Sequence, residues 1–372
     1  MIKVNLFFEH FPAFNQSYIA DMVESLAEEK SVDLEINGLK ESDYKSTIKV
    51  QLAPSYFQKR LYERFYGLFS NTYKGLSYWE IKWLKNKKQI VHLHHSFLFK
   101  YFNGISSLKK INRPKLIVTL RGSDTYLRPW YDKRWLDFYK NSTDRIDAFV
   151  VMSQHQKNYL QKWGVSEDII EVIPASIKVS NNSPKQLDND RIKIVSSFRM
   201  TWEKNIEGNL RAIRNLIEKG YNISYDIYGR GHDIGEAYFI IDKYGLHDVV
   251  NIKGKVENDE YVKQLKAYDF YLQLSKSESL SISTIEAQSF GLPAIISDAG
   301  GMPETILNEE SGYAIPFYKS DLAAVKIERL INDKALYQQF SKAAIANVNS
   351  KFTNQAEAES YINLYKRLTE NA

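Results

Sequence analysis

The sequence predicts an α/β protein of two domains, each built on a parallel sheet. Three observations carry this. The chain has 372 residues, and a single hydrophobic core stops growing at roughly 250–300 residues. Short apolar runs of strand type alternate with longer amphipathic stretches along the whole chain, as in parallel sheets covered by helices on both faces. Near the middle a polar stretch, KVSNNSPKQLDND from Lys178 to Asp190, breaks the alternation and carries Pro184, so it reads as a linker. The expected division is a first domain over 1–178, a linker over 179–190, a second domain over 191–352 and a C-terminal helix over 353–372 that packs back on the first domain.

Taken in order, the expected strands of the first half are IKVNLFF, VDLEI, TIKVQL, QIVHLH, KLIVTL, AFVVM and IEVI. Those of the second half are RIKIVSSF, ISYDIYG, VVNIKG, DFYLQLS, PAIIS and GYAIP. They are short and rich in Val, Ile and aromatic residues, as buried strands require. NQSYIADMVESLAEEK, NIEGNLRAIRNLIEKG and NDEYVKQLKAY, between them, have the period of helices. Two such domains leave a cleft where strand ends present loops to a ligand.

Composition narrows the function. Hydrophobic content of 44% and charged content of 26% are those of a globular chain. There is no cysteine, which removes disulfides, thiolate metal sites and thiol nucleophiles. The opening MIKVNLFFEHF reads as a first strand and not as a signal peptide. No run of about 18 apolar residues offers a membrane span, so the expected location is cytoplasmic. The net charge of +5 is uneven: residues 51–150 hold 19 Lys and Arg against 7 Asp and Glu, whereas residues 181–372 hold 23 against 26. A basic first half faces either an anionic partner or only solvent.

The stretch SKSESLSISTIEAQSFGLPAIISDAGGMPE, Ser275 to Glu304, carries the chemistry. A strand ends before it, and SISTIEAQSF forms a helix stopped by Gly291 and Pro293, with Ser281 or Ser283 as its N-cap. Glu278 then lies in the loop ahead of the helix and Glu286 inside it, so two carboxylates bracket a helix N-terminus suited to phosphate. A nucleotide sugar presents sugar hydroxyls, diphosphate and ribose hydroxyls in that order. In SSFRMTWEKN, Arg199 and Lys204 sit on one loop after the first strand of the second domain, and two cations there suit a diphosphate.

From about Phe270 to Pro316 the spacing of Glu278, Glu286, Gly291, Pro293, the Gly-Gly pair and SGYAIP resembles the retaining glycosyltransferases of family 4. The resemblance implies the GT-B fold, two Rossmann-like domains with parallel sheets facing each other across a cleft. It implies transfer of a sugar from a nucleoside diphosphate sugar, with retention, to a glycan or polyprenyl-diphosphate-linked acceptor, as in capsule, exopolysaccharide or lipopolysaccharide assembly. No metal or other cofactor is expected. Arg199 and Lys204 would contact the pyrophosphate, Glu278 would orient the sugar and Glu286 would hold the ribose. Ser281, Ile282, Gly229, Lys255 and Val256 complete the donor side. Phe198 replaces the glycine that the family usually has before the arginine.

On the acceptor side the resemblance points to Asn15, Gln16, His94, Arg121 and Asp124. FFEHFPAFNQSY has the Phe-Pro strand end of one subgroup, with no Gly-Gly loop, and Asn15 or Gln16 alternatively caps the next helix. His92, His94 and His95 end a strand, and without a fourth ligand nearby they are not read as a zinc site. Arg121 stands where the family usually has histidine, with Gly122 and Asp124 kept; it either binds an acidic acceptor or phosphate or marks a lost role. The aromatic and basic segment at 55–90 fits either an anionic lipid surface or a core. Nucleic acid is not expected. Asp188 to Asp190 has the D-x-D form of metal-dependent enzymes of another fold but lies in the linker. Two other readings stand beside catalysis: a non-catalytic GT-B subunit of a glycosyltransferase complex, and a sugar-nucleotide epimerase.

Overall fold

A computed structural model of the protein describes residues 1–12, 16–42, 48–141, 144–188 and 190–370. The chain forms two compact units: Met1–Ala175 with Asn354–Ala372, and Ser176–Thr353. In the first, β1 (Ile2–Phe8), β2 (Val32–Gly38), β3 (Val50–Leu52), β4 (Ile90–Leu93), β5 (Lys115–Thr119), β6 (Ala148–Val151) and β7 (Ile170–Val172) form one parallel sheet ordered β3-β2-β1-β4-β5-β6-β7. In the second, β8 (Ile192–Ser197), β9 (Ile223–Tyr228), β10 (Val250–Gly254), β11 (Phe270–Gln273), β12 (Ala294–Ser297) and β13 (Gly312–Ile315) form another, ordered β10-β9-β8-β11-β12-β13.

Both sheets are covered on both faces, and strand alternation divides each core in two. Phe7, Val91 and Leu93 enter one cluster of the first unit, while Val4, Leu6, Phe8 and Ile90 enter the other. In the second unit Ile194 and Leu272 point to one side, Val195 and Tyr271 to the opposite one. In each sheet the strand order reverses beside the unit's first strand, between β1 and β4 and between β8 and β11. Loops leaving those neighbours diverge to opposite faces and open a crevice at the strand ends. Gln16, His94, Arg199, Lys204, Glu278 and Glu286 follow these four strands, whereas Arg121 and Asp124 follow β5, Gly229 follows β9, and Lys255 and Val256 follow β10.

The helix Asn354–Glu370 belongs to the first unit. Its Tyr361, Ile362, Leu364 and Tyr365 are buried in the same cluster as Met22, Val23 and Leu26 of the helix Ser17–Ala27. Of the expected linker, residues 179–188 and 190 fall within the second unit. Leu187 is buried in its core. The Lys185 backbone N–H donates to Ser341 Oγ at 2.7 Å, and Asn182 Nδ2 donates to the Ser289 carbonyl at 2.9 Å. Composition showed the polarity of this segment and not the one apolar residue that pins it.

The aromatic segment at 55–90 divides. Trp79 and Trp83, on the helix Tyr78–Lys85, are core residues. The helix Tyr56–Phe69 buries none of its residues. Among the described residues no helix is long and apolar enough to cross a membrane.

Candidate active site

The second unit's crevice is built from the loops after β8, β9, β11 and β12. After β8 the chain passes Phe198 and Arg199 to Lys204, where Asn205 adopts the left-handed conformation at φ 53°. Asn205 Nδ2 donates to the Leu274 and Phe317 carbonyls at 2.8 and 3.0 Å. Asn209, fully buried, donates to the Lys204 carbonyl at 3.0 Å and accepts from the Leu274 backbone N–H at 3.0 Å. These amides tie the Lys204 turn to the end of β11, so the ammonium is delivered to the loop that holds Glu278.

Lys204 Nζ and Glu278 Oε1 form an ion pair whose side chains are 13% and 14% exposed. The same Oε1 accepts from Gln273 Nε2 at 2.8 Å and from Ser275 Oγ at 3.5 Å. Oε2 has no partner among the described residues, which leaves a fixed carboxylate with one oxygen able to accept a hydroxyl. Gln273 in turn is locked: its Oε1 accepts from Tyr271 OH at 2.5 Å and from Ser281 Oγ at 3.0 Å. Ser281 is the N-cap of the helix Ile282–Ser289 and accepts from the Thr284 backbone N–H at 3.3 Å. Tyr271 and Gln273 lie on one face of β11, two residues apart. That alternation was the available signal for both, and sequence reasoning passed over it, as it did Asn205 and Asn209.

The glycines act on backbone. A Cβ on Gly300, at φ 62°, would stand 2.0 Å from the Glu278 carbonyl oxygen, and the Gly301 N–H donates to that oxygen at 2.9 Å. The Gly-Gly pair thus closes on the Glu278 loop. A Cβ on Gly229, at φ 123°, would stand 1.9 Å from the Phe198 carbonyl oxygen; one on Gly231 would stand 2.0 Å from that of Met200. The close approach of the two loops is therefore provided from the Gly229 side. Phe198 needs no glycine: its N–H donates to the Tyr228 carbonyl at 3.0 Å and its ring enters the core.

Arg199 is exposed and makes no side-chain ion pair among the described residues. Glu286 is buried in the helix, and its Oε1 accepts from Asn258 Nδ2 at 3.1 Å. Ile282 is half-buried, Val256 packs against the cluster of Tyr228 and Tyr261, and Lys255 is exposed. Asp188 and Asp190 are exposed, with Lys334 Nζ 3.8 Å from Asp188.

In the first unit, His94 follows β4 and its N–H donates to the Phe7 carbonyl at 3.1 Å. Its ring stacks on Phe8 at 4.6 Å and on His92 at 4.2 Å, and its Nδ1 lies 3.3 Å from Arg121 Nη2. The guanidinium also lies over the Tyr18 ring at 5.5 Å. Asp124 holds the turn, Oδ1 accepting from the Gly122 N–H at 2.8 Å and Oδ2 from the Arg121 N–H at 3.2 Å. Gly122 sits at φ 126°, which explains its pairing with Asp124. His92 is bridged by Tyr365 OH at 2.8 Å and by Thr119 Oγ1 at 2.7 Å.

Burial pushes His92 down to about 3, with Arg121 adding to the effect, and His95 also to about 3 for the same reasons. Burial, His92 and Arg121 hold His94 well below the ordinary histidine range. All three are neutral at physiological pH, so Arg121 is the positive charge here. Gln16 is the N-cap of the helix Ser17–Ala27, but its side chain makes no capping bond. Asn15 lies outside the described residues.

Two parallel Rossmann-like sheets, each with its strand order reversing beside its first strand, are the architecture of the GT-B class, and comparison with known proteins gives the family. The model of Glycosyltransferase Family 4 matches residues 37–181 and that of Glycosyl transferases group 1 matches residues 179–347. The chain belongs to this family. It is 26% identical over 265 residues to the GPI3 subunit of phosphatidylinositol N-acetylglucosaminyltransferase from Saccharomyces cerevisiae, covering 68% of this chain and 58% of that one. It therefore spans little more than half the length of that relative. The amylovoran biosynthesis glycosyltransferase AmsD of Erwinia amylovora is 27% identical over 206 residues, 54% of this chain and 57% of its own. Among solved structures, Anabaena HepE in complex with UDP shares the fold, with a TM-score of 0.76 at 14% identity over 99% of this chain and 100% of that one.

Proposed function

We propose that the chain transfers a sugar from a nucleoside diphosphate sugar to a hydroxyl of a glycan or lipid-linked glycan during synthesis of a cell-surface polysaccharide. The anomeric configuration is retained and no metal is required. The observation that carries this is the Lys204–Glu278 pair, nearly buried at the strand-order reversal and anchored through Gln273 to the N-cap of the helix Ile282–Ser289. A solvated surface pair would have no such scaffold. The relatives named for N-acetylglucosamine transfer and for amylovoran biosynthesis, and the UDP complex of HepE, favour the same reaction class.

In this reading the incoming diphosphate draws Lys204 from Glu278, and Arg199 adds a second cation. Positive charge aimed at the leaving diphosphate supplies most of the rate. Glu278 accepts sugar hydroxyls, and Glu286, oriented by Asn258, holds the ribose diol. Ser281, Ile282, Gly229, Lys255 and Val256 line the donor. The Arg121 guanidinium, beside neutral His94 and the turn made by Asp124, binds an anionic group of the acceptor, with Gln16 two residues ahead of the Tyr18 ring that the guanidinium covers. Two cations and a helix terminus neutralise the diphosphate, so magnesium has no charge left to balance.

A thermal-shift screen against UDP, GDP, ADP and CMP, with magnesium or with EDTA, tests this. A ligand at 100 times its Kd stabilises the native state by about 2.7 kcal/mol. One nucleotide should raise the melting temperature equally in both buffers, and Glu286→Ala and Lys204→Ala should lose the shift. No shift with any nucleotide, or a shift only with magnesium, contradicts the reading.

A further inference from the structure

We propose that the helix Tyr56–Phe69 is the face by which this chain adheres to an anionic lipid bilayer. The helix is amphipathic in the inverted sense. Its inner stripe, Lys59, Tyr62, Glu63 and Tyr66, has the i, i+3, i+4, i+7 spacing of a packed face, yet it is polar and aromatic. Glu63 accepts from the Tyr78 N–H at 2.9 Å, Tyr62 meets the Tyr78 ring at 5.0 Å, and Lys85 bonds the Tyr66 hydroxyl and covers its ring at 4.1 Å. These contacts fix the helix against Tyr78–Lys85 and turn its other face outward.

That outer face is the apolar one. Phe57, Leu61, Phe65, Leu68 and Phe69 are 75, 61, 53, 74 and 75% exposed. Isolated exposed leucines are ordinary, whereas five large side chains on one face of a single helix mark an interaction surface. Charge selects the partner. Residues 55–90 carry eight Lys and Arg against two Glu, and Arg60 and Arg64 are exposed on the flank of the apolar face. A second copy of this chain would bring like charges together. A bilayer with anionic headgroups takes both features, apolar side chains entering the acyl boundary and cations remaining among the phosphates.

This surface goes beyond the proposed reaction. Vesicle binding needs neither donor nor acceptor, so its failure would leave the nucleotide test standing, and the reverse holds too. The full chain should co-sediment with phosphatidylcholine vesicles containing phosphatidylglycerol, much less with phosphatidylcholine alone, and less at high salt. The triple variant Phe57→Gln, Leu61→Gln, Leu68→Gln touches no buried contact and should melt as wild type does. Its partition onto anionic vesicles should fall about a hundredfold, as expected when three partly immersed side chains are removed. Arg60→Glu with Arg64→Glu should weaken binding to anionic vesicles only. The proposal is overturned if the wild type binds no vesicle, binds neutral and anionic vesicles equally, or is unaffected by the triple substitution. It is also overturned if light scattering shows a dimer that the triple variant abolishes while vesicles are ignored.

Discussion

Lys204 and Glu278 meet through a charged contact that water barely reaches, so each depends on the other for its solvation. Glu278→Gln and Lys204→Ala should each lower kcat/KM for sugar transfer by about 10²–10³, the usual loss when one group that stabilises charge in the transition state is removed. Wild-type turnover in either variant would exclude the proposed roles. Gly229 is as constrained in its own way: with a backbone oxygen 1.9 Å from any Cβ and φ at 123°, Gly229→Ala should cost about 3 kcal/mol or more in urea denaturation. His92, fully buried, and His95, half-buried, give a pH signature. The folded-state values of His92 and His95 are depressed to about 3, while unfolded histidine titrates near 6.5. Between these values the unfolded chain binds more protons, so the stabilisation present above pH 6.5 is lost as pH falls. The melting temperature should drop steadily from pH 7.5 to pH 5. The slope should ease in His92→Gln, and a flat profile would show that these rings are protonated when folded.

The helix Asn354–Glu370 is the element whose contribution reaches furthest from its place in sequence. Tyr365 donates to or accepts from His92 across 273 positions, and Tyr361 lies 3.4 Å from Thr119 Oγ1. Tyr365→Phe should cost about 1 kcal/mol through the unpaired His92 nitrogen, and Tyr365→Ala about 3–5 kcal/mol through the cavity; urea unfolding reads both. Equal costs would mean that the hydroxyl's hydrogen bond alone is at work, and no cost for Tyr365→Phe that packing alone is. Such contacts explain what was and was not legible. All thirteen strands were readable because parallel strands covered on both faces are nearly continuous apolar runs, such as Ile90–Leu93 and Ala294–Ser297. Several ends were read one or two residues long, since apolarity continues past β5 and β11 at Leu120 and Leu274, whereas β2 was read two residues short because Asn37 and Gly38 are not apolar. A serine cap, left between Ser281 and Ser283 and found at Ser281, the bracketing of its helix by Glu278 and Glu286 and the Arg199–Lys204 loop were legible as local patterns. The locking of Gln273 by Tyr271 was not, nor were the Asn205 and Asn209 clamps, because their meaning depends on which strands become neighbours.

At the scale of the whole molecule the chain leaves the first unit at Ala175 and returns to it at Asn354, so the second unit is an insertion between the parts of the first. The basic excess belongs to one unit and the proposed donor site to the other, and a single melting temperature need not describe both. A chain ending at Thr353 separates their contributions. It would lose the buried Tyr361, Ile362, Leu364 and Tyr365, each a side chain whose burial contributes about 1.5–3 kcal/mol, and all of that loss falls on the first unit. The truncated chain should therefore show a calorimetric transition shifted down or absent for the first unit. A second transition should persist, and the nucleotide that stabilises the full chain should still raise it. Loss of the nucleotide response along with the C-terminal helix would mean that the Lys204–Glu278 crevice depends on the first unit for its ligand. Its persistence would place donor recognition within Ser176–Thr353 alone.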